Sequence, residues 1–284
     1  MNGLVVRNLK IFFRDKANVF FSLLGVIIII GLYVLFLGEI VISDMSGIKG
    51  ARFLMDSWIM AGVLAAASMT ATLGAFGIMV EDKSKKQIKD FSASPLSRHS
   101  LAMGYIISSF TVGIILSLFA FIFAEIYILV YGGRLLDLLT MLKLLGCMVL
   151  AVLSSSSMVC LLVSFIKSQN AFGTASTIIG TLIGFLTGTY IPIGMFPSAI
   201  QLVIKIFPVS HAGVLFRQIM MDAPMREAFE GAPASVVSGF KEEMGVIFTY
   251  SGWEFPWWGS VVVLIVTTVI FYTFSLIKLT RKSR

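Results

Sequence analysis

Few residues in this chain are of a type to do chemistry, and their spacing excludes most of what they could do. The two histidines, His99 and His211, fall on opposite sides of the apolar runs, so a shared metal site or a histidine-assisted nucleophile is not expected. No H-E-x-x-H, G-x-S-x-G or G-x-x-x-x-G-K-[ST] occurs, so the zinc-protease pair, the nucleophile elbow and the phosphate-cradling loop are all missing. Cys147 and Cys160 share one apolar run, and as helix they stand roughly 20 Å apart, too far to bond. Glu125 is the one carboxylate set deep in an apolar run. At mid-membrane it would suit ion coupling, but its run is long enough to carry it to the outer interface, which is the preferred of two open readings.

One polar stretch stands out. Residues 81–99, EDKSKKQIKDFSASPLSRH, lie between two long apolar runs and hold Lys83, Lys85, Lys86, Lys89 and Arg98 beside Glu81, Asp82 and Asp90. Such a cluster marks a cytoplasmic face and offers a grip to a soluble partner. The plainer reading is a solvated, positive flank.

The elements around these residues follow from composition. Of 284 residues 57% are hydrophobic and 13% charged, with a mean hydropathy of +0.95, and apolar runs of about 20 residues recur. The class is an all-α polytopic membrane protein. The net charge of +7 does not point to nucleic acid, because the basic residues flank the apolar runs. We expect six transmembrane helices at about 19–41, 58–80, within 101–130, 141–165, 171–191 and 257–277. The first run is read as a membrane span, not a cleaved leader. Most of the 22 Lys and Arg then fall on the side of the two termini, which orients both to the cytoplasm.

Residues 1–18 form an amphipathic connecting helix ahead of the first span. At 100° per residue Val5, Val6, Leu9, Phe12 and Phe13 share one face, and Arg7, Lys10 and Arg14 stack on the other. Such a helix is expected to lie flat in the headgroup layer. The second span is rich in Ala, Gly and Ser, so it is expected to pack against protein. Residues 192–221 are apolar but broken by Pro192, Pro197 and Pro208, which predicts short re-entrant or interfacial helices. Residues 222–256 read as a polar extracellular segment, and Trp253, Trp257 and Trp258 as an aromatic cluster at a membrane boundary.

Taken together, the basic amphipathic helix, the charged loop ending SASPLSRHS and the hairpin GTYIPIGMFPSAIQLVIKIFPVSHA resemble the permease subunits of ABC-2-type exporters, the type V fold, over nearly the whole chain. That resemblance implies a six-span domain over 19–284, with residues 1–18 as the elbow helix (Arg7, Lys10, Phe12, Phe13, Arg14). It implies a coupling loop at 81–100 seated on an ATPase subunit through Asp82, Lys85, Lys86, Ile88, Lys89 and Phe91. The outer hairpin, bent at Pro192, Pro197 and Pro208, would cap the path. The implied partners are two copies of a P-loop ATPase, a second permease copy or homologue, and the lipid bilayer of the cell membrane. The chain itself would be no enzyme and bind no cofactor; ATP and Mg would sit on the ATPase.

The second and fifth spans, with the threonines at 174, 177, 181, 187 and 189, are expected to line the path. The implied function is ATP-driven export of a drug, antibiotic, peptide or lipid, a multidrug-type activity. The alternatives are export of a lipid-linked polysaccharide and ion-coupled transport through Glu125.

Overall fold

The computed structural model describes residues 2–37, 48–88, 91, 97–250 and 252–280. Within them the chain is an all-α polytopic membrane protein with one short β-hairpin. The helices are α1 (Asn2–Arg14), α2 (Lys16–Leu32, continued by a π-helical turn Tyr33–Leu37), α3 (Ala51–Ser84), α4 (Arg98–Val130), α5 (Leu138–Phe165) and α6 (Gln169–Leu186). They continue with α7 (Ser198–Ile206), α8 (Pro208–Met220), α9 (Asp222–Ala228), α10 (Ala234–Glu243) and α11 (Trp257–Thr280). Short polar side chains set several starts. Asp15 accepts from the Asn18 amide at 3.0 Å, Ser97 from Ser100 at 3.1 Å, Asp137 from Leu139 and Thr140 at 3.1 and 3.2 Å, and Ser168 from Ala171 at 3.3 Å. Each satisfies an amide that the first turn leaves open, a contribution of about 1 kcal/mol.

The long helix α3 is the centre of the bundle. Its most apolar window is 89% buried within the chain, and α1, α2, α4, α5, α6, α8 and α9 all pack on it. Lipid tails provide no hydrophobic drive between helices, so contact here depends on small residues that let backbones approach. A β-carbon at Gly74 would overlap the Ser22 hydroxyl of α2, and one at Gly113 of α4 would stand 2.7 Å from both Thr72 and Val152. Gly74→Val should therefore push α2 off α3 and cost about 1–3 kcal/mol. A thermal-unfolding series in detergent, with Gly31→Val in open space as the control, checks it; equal melting temperatures would contradict the close-packing account.

The spans differ from expectation in three places. Among the described residues five helices are long and apolar enough to cross a bilayer: Lys16–Leu35, Ala51–Ser84, Arg98–Val130, Leu138–Phe165 and Trp257–Thr280. A sixth exists if α7 and α8, bent by 87° to one another, count as one broken span. The expected fifth span is not among them. Its helix, α6, has 18 residues and stops because Gly188 turns at φ 64°, with the amides of Thr189 and Tyr190 both returning to the Gly184 carbonyl at 2.7 and 3.2 Å. The apolar run continues through this stop, so hydropathy alone extends the helix too far.

At the other end of the second span, α3 begins at Ala51, which puts Arg52 and Asp56 on the helix instead of in a connector. The polar segment 222–256 contains α9, α10 and the pair Thr249–Tyr250 with Trp253–Glu254. The prolines of the hairpin start helices more than they break them. Pro197 precedes α7, Pro208 is its own helix's first residue, and Pro192 precedes a 3-10 turn at Ile193–Met195. A fixed φ suits proline to that position. Helix α7 is largely exposed, whereas α8 is buried against α3, α5 and α11.

Candidate functional site

The basic loop and the N-terminal helix, separate in sequence, meet on one carboxylate. Asp82, at the end of α3, has a side chain only 3% exposed. It accepts two hydrogen bonds from the Arg7 guanidinium, at 2.6 and 2.8 Å, and one from the Tyr105 hydroxyl of α4 at 2.6 Å. Arg7 also donates to Gln87 at 3.1 Å and lies 5.2 Å from the centre of the Phe91 ring. The bonding to Asp82 raises the Arg7 pKa above its already high ordinary value. A bidentate fork on a buried carboxylate is the strong form of such a contact. Asn8 completes the seat, donating to Ser108 at 3.1 Å. The result joins α1, α3, α4 and the start of the loop in one clasp.

The clasp corrects the reading of α1. Its buried stripe is Leu4, Asn8 and Phe12, while Val6 and Phe13 are exposed and Lys10 and Arg14 point outward. Phe12 is buried against the bundle and Phe13 and Val6 are exposed, while Arg7 turns from Lys10 and Arg14 to bind Asp82. Apolar periodicity cannot tell a face that meets protein from one that meets lipid. In the loop, Lys85 pairs with Glu81 on the surface and Lys86 is exposed with a left-handed φ of 62°. Ile88 and Phe91 are half-buried against the chain's own core, so their apolar surface is turned partly inward. Lys89 lies outside the described residues.

A groove of about 970 Å³ opens between α2, α3 and α6. Phe21, Gly25, Leu73, Phe172, Gly180 and Tyr190 are among its walls. Four of its hydroxyls are occupied within their own helices. Ser22 donates to the Asn18 carbonyl, Thr70 to Ala66, Thr177 to Gly173 and Thr181 to Thr177. Of the two helices expected to line a path, α3 is enclosed by its neighbours and adds only Thr70, Leu73 and Gly74. Helix α6 is open, with Ile178 54% and Leu182 47% exposed and nothing within 4 Å of a β-carbon at Gly173 or Gly180. Thr187 and Thr189 are buried and bonded to each other at 2.6 Å, away from the groove.

At the end of the bundle away from the clasp, Asp56 is buried and accepts from the Tyr33 hydroxyl at 2.9 Å and from Arg52 at 3.2 Å. Glu125 lies near that end of α4, buried, with one carboxylate oxygen accepting the Leu136 amide at 3.2 Å across the turn to α5. It stands near the end of α4 and ties down the turn to α5. Arg217 was not singled out by sequence. It is fully buried, donates to the carbonyls of Thr187 and Gly188 at 2.8 and 2.9 Å and to Gly245 at 3.4 Å, and stands 5.1 Å over the Trp58 ring. Trp58 in turn donates to the Met244 carbonyl at 2.7 Å. The signal available was a lone arginine inside the apolar stretch VLFRQIM, which polar cost in a membrane makes notable. Among the described residues no three His, Cys, Asp or Glu side chains come together to hold a metal.

No curated protein matches the chain. A family model described as ABC-2 family transporter protein matches residues 45–277.

Proposed function

Because the chain belongs to the ABC-2 family of transporter proteins, and is therefore a membrane-spanning subunit of an ABC transporter, we propose that it exports a hydrophobic or amphipathic substrate from the cytoplasm or inner leaflet. A separate P-loop ATPase, present in two copies with ATP and Mg, supplies the energy. The observation that carries this reading is the groove between α2, α3 and α6, wide enough for a drug-sized molecule and walled mainly by apolar side chains. The open face of α6 is where a second copy, or a homologous permease, would close the groove into a path.

The ATPase is proposed to grip the loop at 81–100, with Lys85 and Lys86 outermost. Ile88 and Phe91 hold that loop to the bundle, and movement passes to α1 and α4 through Asp82. The hairpin of α7 and α8, entered at Pro192, Pro197 and Pro208, caps the far end. Helix α1 and the last turns of α11 lie at the clasp end of the bundle: α1 binds Asp82 there, and Lys278 of α11 stacks on Phe165 near the Lys83–Val163 contact. With the basic residues gathered at that end, we place it in the cytoplasm and the protein in the cell membrane.

A second reading has one observation behind it. Phe21, Phe172, Phe185 and Tyr190 all face the groove, and aromatic rings suit the stacking of sugars, so a lipid-linked polysaccharide is the runner-up substrate.

The test is purification of the tagged chain from its native membrane, followed by reconstitution with the ATPase that accompanies it. Amphipathic compounds should stimulate hydrolysis. Gly180→Trp, which fills the groove from a position with open space, should abolish the stimulation and leave basal hydrolysis intact; Glu125→Gln should change neither. Stimulation only by glycolipids would favour the second reading. A chain that purifies alone, as a stable oligomer in several detergents, would overturn the coupling proposal.

A further inference from the structure

A second pocket, of about 630 Å³, lies at the end of the bundle opposite the clasp, between the ends of α8 and α10 and the start of α11. Arg217 forms part of its wall. The guanidinium is fully buried and its Nε–H has no hydrogen-bond partner; no carboxylate among the described residues forms an ion pair with it. Carbonyl oxygens hold its two terminal nitrogens but carry no net charge. A wholly buried cation without a counter-charge is costly, and an anion in the adjoining space would relieve it.

The remaining charges of the lining nearly cancel. Arg226 is paired with Asp222, and Lys241 is matched in number by Glu254. What is left over is the single charge of Arg217. The rest of the wall is apolar, with Met221, Met225, Phe229 and Val237. A small inorganic anion would fill a fraction of the volume and leave that surface wet. Trp257, part of the lining, is exposed at the first residue of a long apolar helix, and aromatic side chains at such helix ends meet headgroups.

We propose that this pocket binds a monoanionic amphiphile, a membrane lipid with a single phosphodiester charge, its head toward Arg217 and Lys241 and an acyl chain against Met225, Phe229 and Val237. With both terminal nitrogens of Arg217 held by carbonyls, the attraction is that of a buried positive charge with one free Nε–H, and the direct grip on the phosphate falls to Lys241. The site is separate from the groove and does not depend on the substrate reading.

The test uses the full chain in detergent and native mass spectrometry. Phosphatidylglycerol is titrated against phosphatidylcholine and against inorganic phosphate. One phosphatidylglycerol should stay bound per chain at concentrations where the other two do not. Lys241→Glu removes a rim cation and Val237→Trp fills the apolar part; both lie on α10, none of whose residues is buried, and both should keep the melting temperature. Each should weaken retention about tenfold. Equal retention of phosphatidylcholine, or unchanged retention in both variants, overturns the proposal. Inorganic phosphate bound as tightly as the lipid would show a bare anion site and overturn the lipid assignment.

Discussion

Asp82→Ala should release the N-terminal helix from the bundle while the membrane spans remain inserted. The substitution removes the acceptor of a bidentate guanidinium and of the Tyr105 hydroxyl together. Breaking a buried ion pair typically costs about 3–5 kcal/mol, but Arg7 is 30% exposed and can recover part of its bonding from water, so about 2–4 kcal/mol is expected. Tyr105, buried in α4, has no such recourse. Limited proteolysis at Arg14 and Lys16 should accelerate at least tenfold, and substrate stimulation of the partner ATPase should fall while insertion is unchanged. Arg7→Met should do less on its own and add little to Asp82→Ala, because both act through one contact. Unchanged protection of Arg14 in Asp82→Ala would mean that Leu4 and Phe12 alone hold the helix.

Arg217→Leu carries the second large effect, and its sign has to be argued. Replacing a buried charge by an apolar side chain is often neutral or favourable, since the desolvation of the ion is recovered. Here the partners are backbone carbonyls of Thr187, Gly188 and Gly245, and they stay behind when the arginine goes. An unsatisfied buried acceptor costs about 1–3 kcal/mol, and at least two are created. The orphaned carbonyls therefore win, with a net loss of about 2–4 kcal/mol, read as a lower melting temperature and poorer yield. Arg217→Lys should recover only part, because a single ammonium cannot bridge the end of α6 and the 244–245 turn as a fork does. Full recovery by lysine would show that charge matters there and geometry does not.

The sequence made the membrane class plain, and with it the burial of α3, because hydropathy and small-residue content are properties of short windows. Long apolar helices and the broken segment at Pro197 and Pro208 were legible for the same reason. What stayed hidden was set by contacts between distant residues. Arg7 read as one of three stacked surface cations; only the fold brings it to Asp82, far along the chain. Asp56 looked like part of a connector because its burial depends on Tyr33 of a different helix. Helix α6 ended early through a backbone turn at Gly188 inside an unbroken apolar run. Ile88 and Phe91 were legible as a spaced apolar pair, but spacing does not say whether such a pair faces inward or outward.

The helix-bound hydroxyls of the groove bear on what it can distinguish. With Ser22, Thr70, Thr177 and Thr181 each donating to a carbonyl of its own helix, the polar dots along the wall have little left to give. Asn18, Ser176 and Tyr190 are the remaining donors there. A molecule in the groove is therefore sorted by girth and flexibility far more than by the pattern of its heteroatoms, since no row of donors demands a matching row of acceptors. Compounds of unrelated chemistry but similar bulk should compete with one another, and removing a single acceptor, such as an ether oxygen, from such a compound should hardly change how well it is handled.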